Sequence, residues 1–273
     1  MRRRAMLIVS LFALAGLGLP LGFTGEKGGP LTISFHGQSF FMVTTGKGKV
    51  IAFDPHYIEA YQLNEEKEKK ADIICISHNH NDHNRFQIFE NHKKAKILTG
   101  LKGASLKADW NSVNEDIDGI KVRSVGVYHD DMEGLLRGKN GVFIVEVDGW
   151  RICHLGDIGH YPTPAQLKRI GPVDVLMIPV GGIYTLNGAE AKKVVDQIKP
   201  KEYIFPMHYG TKVFDPVLTA EEFLEQFPKR EVAISDDNVL KLNKDATRPR
   251  PLVVQLHYWP KGNKEEKKEE KKK

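Results

Sequence analysis

The body of the chain alternates short apolar runs with helical patterns. Three β-type runs open it, "LTISF", "SFFMVTT" and "KVIAFDP", and the glycines between them predict a meander of strands. "ADIICIS" follows as a continuous apolar run, which is typical of a strand buried on both faces. "RFQIFENHKK" then has the apolar spacing of a helix.

The second half mixes strands and helices more evenly. "GIKVRSVGVY", "GVFIVEV" and "WRICHLGD" have strand patterns, and Asp148-Gly149 predicts a tight hairpin turn between the last two. Helical patterns in "TPAQLKRI" and "GAEAKKVVDQI" alternate with strand patterns in "VDVLMIPV" and "KEYIFPMHYG". A final helix is predicted over about residues 220–227, and strands near "EVAIS" and "PLVVQLHYW". This order predicts an α+β domain, with sheets that carry helices on their outer faces.

The two ends of the chain differ from this body. Residues 1–24 combine Arg2, Arg3 and Arg4 with an apolar run from Ala5 to about Phe23, which predicts a cleaved export signal. An uncleaved membrane anchor is the alternative, because about nineteen apolar residues approach the length that spans a bilayer. Either way we expect a periplasmic, secreted or membrane-anchored protein. Residues 259–273 are rich in Lys and Glu and predict a disordered tail.

Charge argues against a nucleic-acid-binding domain. The formal net charge is +5, and the three N-terminal arginines supply three of those charges. The tail supplies three more, so residues 31–258, the predicted folded domain, are close to neutral. Binding to phosphate backbones needs clustered positive charge, so we expect no nucleic-acid partner.

Two cysteines, Cys75 and Cys153, each lie inside an apolar strand pattern. Such positions predict small buried thiols. A single pair makes no disulfide framework, although one bridge stays open as an alternative.

One short loop holds an unusual concentration of metal-binding residue types. The chain has 11 histidines in 273 residues, yet "ISHNHNDHNRF" places three of them and an aspartate within six positions: His78, His80, Asp82 and His83. Neutral imidazoles with a carboxylate are ligands for zinc or a similar transition metal. The alternation suggests that the four donors divide between two ions.

Each ion then needs ligands from elsewhere in the chain. His129, Asp157 and His208 all stand where an apolar strand pattern gives way to a Gly-rich or acidic loop. Binding residues commonly lie at such positions.

These elements resemble the metallo-β-lactamase superfamily. "HNHNDH" has the form of its HxHxDH signature, and "HLGD" and "PMHYGT" follow in the order of that family. "FHGQSFFMVTTGKGKVIAFDP" and "PVGG" look most like the branch that contains ascorbate-6-phosphate lactonase and the N-acyl phosphatidylethanolamine phospholipase D. The resemblance implies an αββα sandwich, in which two mixed sheets pack face to face with helices on both outer faces.

It also implies a dinuclear site for two divalent metal ions, with zinc as the default and Mn²⁺ or Fe²⁺ as alternatives. His78, His80 and His129 resemble the ligands of the first metal. The ligands of the second metal would be Asp82, His83 and His208, with Asp157 bridging both. The residues around His129, "VYHDDMEG", differ from those around the corresponding histidine of glyoxalase-like members. This difference argues against glyoxalase II or persulfide dioxygenase chemistry.

The expected reaction is hydrolysis of an ester, lactone or phosphodiester bond by a metal-bridging hydroxide. Asp82 would orient the hydroxide, and His154, His160 or water would protonate the leaving group. A phospholipid-directed phosphodiesterase and a metal-dependent nuclease are the alternative functions. We expect a small-molecule or lipid substrate, with membrane association through the N-terminal segment.

Further residues of interest lie beside this predicted site. Asp54 is a candidate for a hydrogen bond that orients a ligand histidine. Gly181, Gly182 and Tyr184 are candidates for lining the site, and Tyr209 for supporting a ligand or facing the substrate. For His56, beside Asp54, an ordinary polar role outside the site is favoured.

Overall fold

A computed structural model describes residues 29–56, 69–105, 107–211 and 216–258. The predicted signal or anchor segment (residues 1–24) and the predicted tail (residues 259–273) lie outside the described residues. Within the described ranges, no helix combines the length and the apolar character that a membrane span requires.

The first sheet has six strands within the described ranges. The predicted meander forms β1 (Thr32–Phe35), β2 (Phe41–Thr44) and β3 (Val50–Phe53), which pair antiparallel. β4 (Ile73–Ile76) and β5 (Lys96–Thr99) extend the sheet in parallel with β3. β13 (Val239–Lys241) closes its other side by pairing antiparallel with β1.

Eight strands of the described residues form the second sheet, in the order β12-β14-β11-β10-β9-β8-β7-β6. Its antiparallel half contains β6 (Asn114–Ile117), β7 (Ile120–Tyr128), β8 (Lys139–Val147) and β9 (Trp150–His154). Its parallel half continues from β9 through β10 (Val175–Pro179), β11 (Tyr203–Met207), β14 (Leu252–Gln255) and β12 (Val232–Ile234). The predicted hairpin turn is confirmed, because Asp148 and Gly149 both have positive φ, at 50° and 74°.

The two sheets pack around one large apolar core, which gives the predicted sandwich. Ile33, Phe53 and Ile73 of the first sheet belong to the same buried cluster as Val142 and Ile152 of the second. Both cysteines lie in this cluster as free, buried thiols, so a disulfide bridge between them is excluded.

Two of the three α-helices in the described part of the chain cross over between neighbouring parallel strands of the second sheet and therefore pack on its face. α1 (Pro164–Ile170) connects β9 to β10, and α2 (Gly188–Ile198) connects β10 to β11. Both begin with a capping box, at Thr163 and Asn187. The predicted final helix is shorter than expected: α3 spans Glu221–Leu224.

The helix predicted in "RFQIFENHKK" is wrong: its described structure is a single 3-10 turn, Phe86–Ile88, followed by turns. The chain leaves the turn at Phe89 to form a bridge with Lys69. Asn91 then bonds both the amide (3.1 Å) and the carbonyl (2.9 Å) of Ala71. These side-chain and backbone bonds compete with helix propagation. The turn still covers the outer face of the first sheet, where Phe86 and Ile88 pack on a second small apolar cluster.

Candidate metal centre

Strand direction brings the predicted ligands to one edge of the sandwich. β7 and β9 each pair antiparallel with β8 and therefore run the same way, as do β9, β10 and β11. β3 and β4 also run parallel in the other sheet. Their carboxyl ends carry all seven predicted ligands: His78, His80, Asp82 and His83 after β4, His129 after β7, Asp157 after β9 and His208 after β11.

The ligand atoms form two groups, each with its members within 4.8 Å of one another. The first group contains His78, His80 and His129, and the second contains Asp82, His83, Asp157 and His208. In the first group, His78 Nε2 lies 3.0 Å from His80 Nδ1. In the second, Asp82 Oδ2 lies 3.3 Å from His83 Nε2 and 3.8 Å from His208 Nε2.

Asp157 Oδ2 lies between the two groups. It is 3.0 Å from His208 Nε2 and 3.1 Å from His83 Nε2. On the other side it is 3.2 Å from His129 Nε2 and 3.9 Å from His78 Nε2. Two donors bound tetrahedrally to one zinc ion lie about 3.3 Å apart, because each bond is about 2.0–2.1 Å long. The geometry therefore suits a carboxylate shared by two cation sites.

Buried Asp54 orients one histidine of each group. Asp54 Oδ2 accepts from His83 Nδ1 at 2.9 Å and from Ser77 Oγ at 2.6 Å, and Asp54 Oδ1 accepts from the Ser77 amide at 2.7 Å. Because Ser77 Oγ donates to the carboxylate, it accepts the Nδ1 proton of His78 at 2.9 Å. Because Nδ1 of each ring is engaged in these bonds, both rings direct Nε2 at the centre, and the predicted hydrogen bond from Asp54 to a candidate ligand histidine is confirmed.

Gln38 is a site residue that the sequence reasoning missed. Its side-chain amide donates to Asp82 Oδ2 at 3.1 Å, and its backbone carbonyl accepts from the backbone amide of His208 at 2.8 Å. It is buried and has a φ of 52°. His56 supports this turn, because its Nε2 lies 3.0 Å from the His36 carbonyl. The only sequence signal was the position of Gln38 after Gly37, a residue pair that fits a turn.

Asn140 was also missed, and it holds the loop that carries Asp157. Its Oδ1 accepts from the Asp157 amide at 3.1 Å, and its Nδ2 donates to the Leu155 carbonyl at 2.8 Å. Gly156 has a φ of 54°, and a Cβ at this position would collide with the Asn140 side chain and with Ser77. Glycine in "HLGD" therefore lets three strand ends approach one another closely.

The charges of the two groups differ. Burial lowers the pKa of His78 well below its usual value, and burial lowers that of His80 to about 4. Burial would also lower the pKa of His208, but the Asp157 carboxylate outweighs it and raises this pKa to about 9. The second group thus attracts positive charge, and a divalent cation would supply that charge in place of protons.

The residues present fit two transition-metal ions. The donors are neutral imidazoles and carboxylates, which is the set that zinc, manganese and iron take. Asp157 is only 2% exposed, and its Oδ1 has no hydrogen-bond partner among the described residues. A buried carboxylate oxygen without a donor is costly unless a cation binds it.

A comparison with known protein families bears on this arrangement. The model of the family described as "Beta-lactamase superfamily domain" matches residues 32–208, the range that contains the complete ligand set. The chain belongs to the metallo-β-lactamase superfamily.

Individual relatives agree with the family. A crystal structure from Thermotoga maritima, assigned as a zinc-dependent hydrolase of the metallo-β-lactamase superfamily, is 31% identical with a TM-score of 0.60. That match covers 83% of this chain and 100% of the relative. A protein of Thermococcus kodakarensis, named a metal-dependent hydrolase, is 33% identical over 157 residues, which are 53% of this chain and 70% of the relative.

A third relative, a Pyrococcus abyssi protein that is also named a metal-dependent hydrolase, is 29% identical over 198 residues, 66% of this chain and 84% of the relative. This superfamily member is accordingly a metal-dependent hydrolase. The relatives bear on the superfamily and not on the branch with the lactonase and the phospholipase, which stays a prediction.

His154, predicted as a general acid, lies beneath the centre. It is fully buried and stacks on Phe53 at a centroid distance of 5.2 Å. Its Nδ1 accepts from the Gly156 amide at 3.1 Å, so its Nε2 donates to the Ser39 carbonyl at 2.9 Å. Both ring nitrogens are therefore engaged with backbone, and the structure does not bring this ring to the ligand atoms.

His160 lies beside the loop that carries His129. Its Nε2 accepts from the Tyr128 amide at 3.0 Å, and its Nδ1 donates to the Tyr161 carbonyl at 2.9 Å. Burial lowers its pKa, which favours the neutral ring that these bonds require. The geometry makes His160 a residue that positions His129 and leaves it no free nitrogen for a leaving group.

The other candidates divide between the interior and the edge of the centre. Tyr209 is buried and stacks on Phe35 at 6.1 Å. Gly181 packs directly against the His208 carbonyl, and a Cβ there would collide with it. Tyr184 is 41% exposed in the loop that follows.

Proposed function

We propose that this superfamily member is a dinuclear hydrolase that cleaves an ester, lactone or phosphodiester bond. The observation that carries the proposal is the position of Asp157 Oδ2, within 3.2 Å of ring nitrogens from both ligand groups. A single-ion site would need only one of these groups. Two complete groups that share one carboxylate suit two ions that act together.

In this proposal His78, His80 and His129 hold one ion, Asp82, His83 and His208 hold the other, and Asp157 belongs to both. When bound, such ions lower the pKa of the attacking water and polarise the bond to be cleaved. The donor set favours zinc and also accommodates Mn²⁺ or Fe²⁺.

The chain's own residues prepare that chemistry. Asp54 and Ser77 keep the lone pairs of His83 and His78 directed at the centre. Gln38 donates a hydrogen bond to Asp82 Oδ2, and this bond restricts the rotation of the Asp82 carboxylate. No described histidine besides the ligands offers a free nitrogen at the centre, so the proposal assigns protonation of the leaving group to water.

The proposal extends to the location of the protein and to the class of its substrate. The apolar N-terminal segment supports export or membrane anchoring, and a small-molecule or lipid substrate fits the near-neutral body better than a nucleic acid does. A phospholipid-directed phosphodiesterase is therefore the second candidate, and a nuclease the least supported.

Metal content is the first test. We expect two equivalents per chain after purification without chelator, and loss of both in Asp157→Ala. His208→Ala should lose the ion of the second group and retain most of the first. His92→Ala is the matched control, since the His92 ring contacts the Phe89 carbonyl, at 2.8 Å, and the Phe86 ring rather than the candidate ligands.

Turnover of bis-p-nitrophenyl phosphate, p-nitrophenyl acetate and a lactone would follow the metal content across these variants. Fewer than half an equivalent in the wild type, unrecovered on adding zinc or manganese, would refute the dinuclear proposal.

A further inference from the structure

Exposed apolar side chains concentrate on one edge of the molecule. Nine large hydrophobic residues are exposed among the described residues, and six of them belong to the loops that follow β7, β10 and β11, at the edge of the sandwich where the ligands lie. Their exposures run from 41% to 73%. We call these six the apolar rim: Met132, Leu135, Leu136, Ile183, Tyr184 and Leu218.

Direct contacts connect the rim to the metal centre. Asp130, next to ligand His129, fastens the first loop by accepting from four backbone amides, among them those of Leu136 (3.1 Å) and Arg137 (2.7 Å). Arg137 Nη2 then donates to the Ile183 carbonyl at 2.9 Å, which joins the first loop to the second.

The third loop joins in the same way. The Leu218 amide donates to the Gly181 carbonyl at 2.7 Å, and Gly181 packs on the carbonyl of ligand His208. The rim therefore forms one connected structure that runs from ligand His129 to ligand His208.

One residue of the rim has a strained backbone conformation. Ile183 has a φ of 58°, and β-branched residues rarely adopt this left-handed conformation. It is 59% exposed, so burial within the chain does not compensate for the strain. Strain of this kind clusters at functional sites. By contrast, Ile234 and Val239 are exposed on the edge strands β12 and β13 of the two sheets.

A positive charge beside the rim indicates which kind of ligand the rim would bind. The Arg137 guanidinium lies 5.0 Å from the centre of the Tyr184 ring and is held by the Ile183 carbonyl. A fixed cation next to exposed apolar groups fits a ligand that is anionic at one end and apolar at the other.

We propose that the apolar rim is a subsite for the apolar part of an amphiphilic, anionic ester or phosphoester, with the bond to be cleaved at the metal centre. The inference rests on the proposed function and adds the substrate class: an ester that carries an alkyl, acyl or aryl group. Large exposed apolar patches on soluble domains mark such binding sites.

Alkylphosphonates test the subsite without turnover. Methylphosphonate and octylphosphonate share a head group and differ by seven methylenes. Each methylene half covered by protein contributes about a factor of two in affinity. We therefore expect octylphosphonate to bind the metal-loaded wild type roughly a hundredfold more tightly, by calorimetry below its micellar concentration.

Variants locate the effect on the rim. Leu135→Ser/Leu136→Ser should reduce the preference to about tenfold and leave methylphosphonate binding and metal content unchanged. Ile234→Ser, at an exposed apolar position away from the rim, should retain the full preference. Arg137→Gln should weaken octylphosphonate binding and leave octanol binding unchanged.

The outcomes separate the two proposals. If methylphosphonate and octylphosphonate bind the wild type equally, the subsite is refuted while the metal-dependent function stands. If neither phosphonate binds and no metal is retained, both the proposed function and the subsite are refuted. Co-sedimentation with phosphatidylcholine vesicles, together with no preference for octylphosphonate, would make the rim a membrane-docking surface and would also overturn the subsite.

Discussion

Substitution of Asp54 by asparagine tests how the centre is held together. The carboxylate is 1% exposed and accepts three hydrogen bonds, two from Ser77 and one from His83 Nδ1. Asparagine has nearly the same shape but only one accepting atom. Whichever way the amide is turned, its nitrogen faces at least one group that donated to the carboxylate, and that group must lose its partner, turn away or give up its proton.

The size of the effect follows from these contacts. A buried donor left without a partner costs about 1–3 kcal/mol, so we expect a loss of that order in the free energy of unfolding. If the amide nitrogen faces His83, the ring moves its proton to Nε2 and loses the lone pair that it directs at the centre. Loss of such orienting partners typically lowers metal affinity about 10–100-fold, and we expect this range.

The assay is competition with a zinc chelator of known affinity, combined with chemical denaturation of both proteins. Asp72→Asn is the matched control, because Asp72 accepts from the Val50 amide at 2.9 Å, where β4 begins, at the opposite end of β3 and β4. It should cost stability without weakening metal binding. Wild-type zinc affinity in Asp54→Asn would refute the orienting role, whatever happens to stability.

Three further predictions concern the surroundings of the centre. Gly181→Ala should lower both the melting temperature and the zinc content, because its Cβ would collide with the His208 carbonyl, whereas Gly29→Ala should change neither. Burial raises the pKa of the Cys153 thiol to about 12, so iodoacetamide at pH 8 should label neither cysteine until guanidinium unfolds the protein; labelling in the native state would contradict the buried positions. Burial lowers the pKa of His160 below 6.5, so its stabilising contribution is complete above pH 6.5 and declines as the pH falls below that value. The difference in free energy of unfolding between wild type and His160→Ala should shrink over the same range, and a pH-independent difference would count against it.

The clustering of the candidate metal ligands was predictable because their signals are local. Four lie within one short loop, and the other three stand directly after apolar strand patterns. Strand polarity then brings their positions to one edge, and this requires no knowledge of side-chain packing. Asp54 was predictable for the same reason, because it follows β3 directly.

Residues that act through long-range contacts were not predictable. Gln38 meets Asp82, and Asn140 meets Asp157, only after the sheets have formed. The exposed leucines of the rim lie within "DDMEGLLRG", where exposure is decided by how Asp130 folds the loop.

Three strands escaped prediction because their patterns are weak. β5, β6 and β13 are short, and most of their residues are exposed or half-buried. Their strand conformation comes from their neighbours in the sheet rather than from their own residue types.

The pairing of β1 with β13 has a consequence for how the protein is made. Thr32 and Lys241 are partners although about two hundred residues separate them in the chain. During synthesis the first sheet has an open edge at β1 until almost the whole domain has left the ribosome. Closing so long a loop is entropically costly and favours slow folding. A nascent chain stalled before residue 239 would therefore expose an unpaired strand, and we expect such chains to be aggregation-prone.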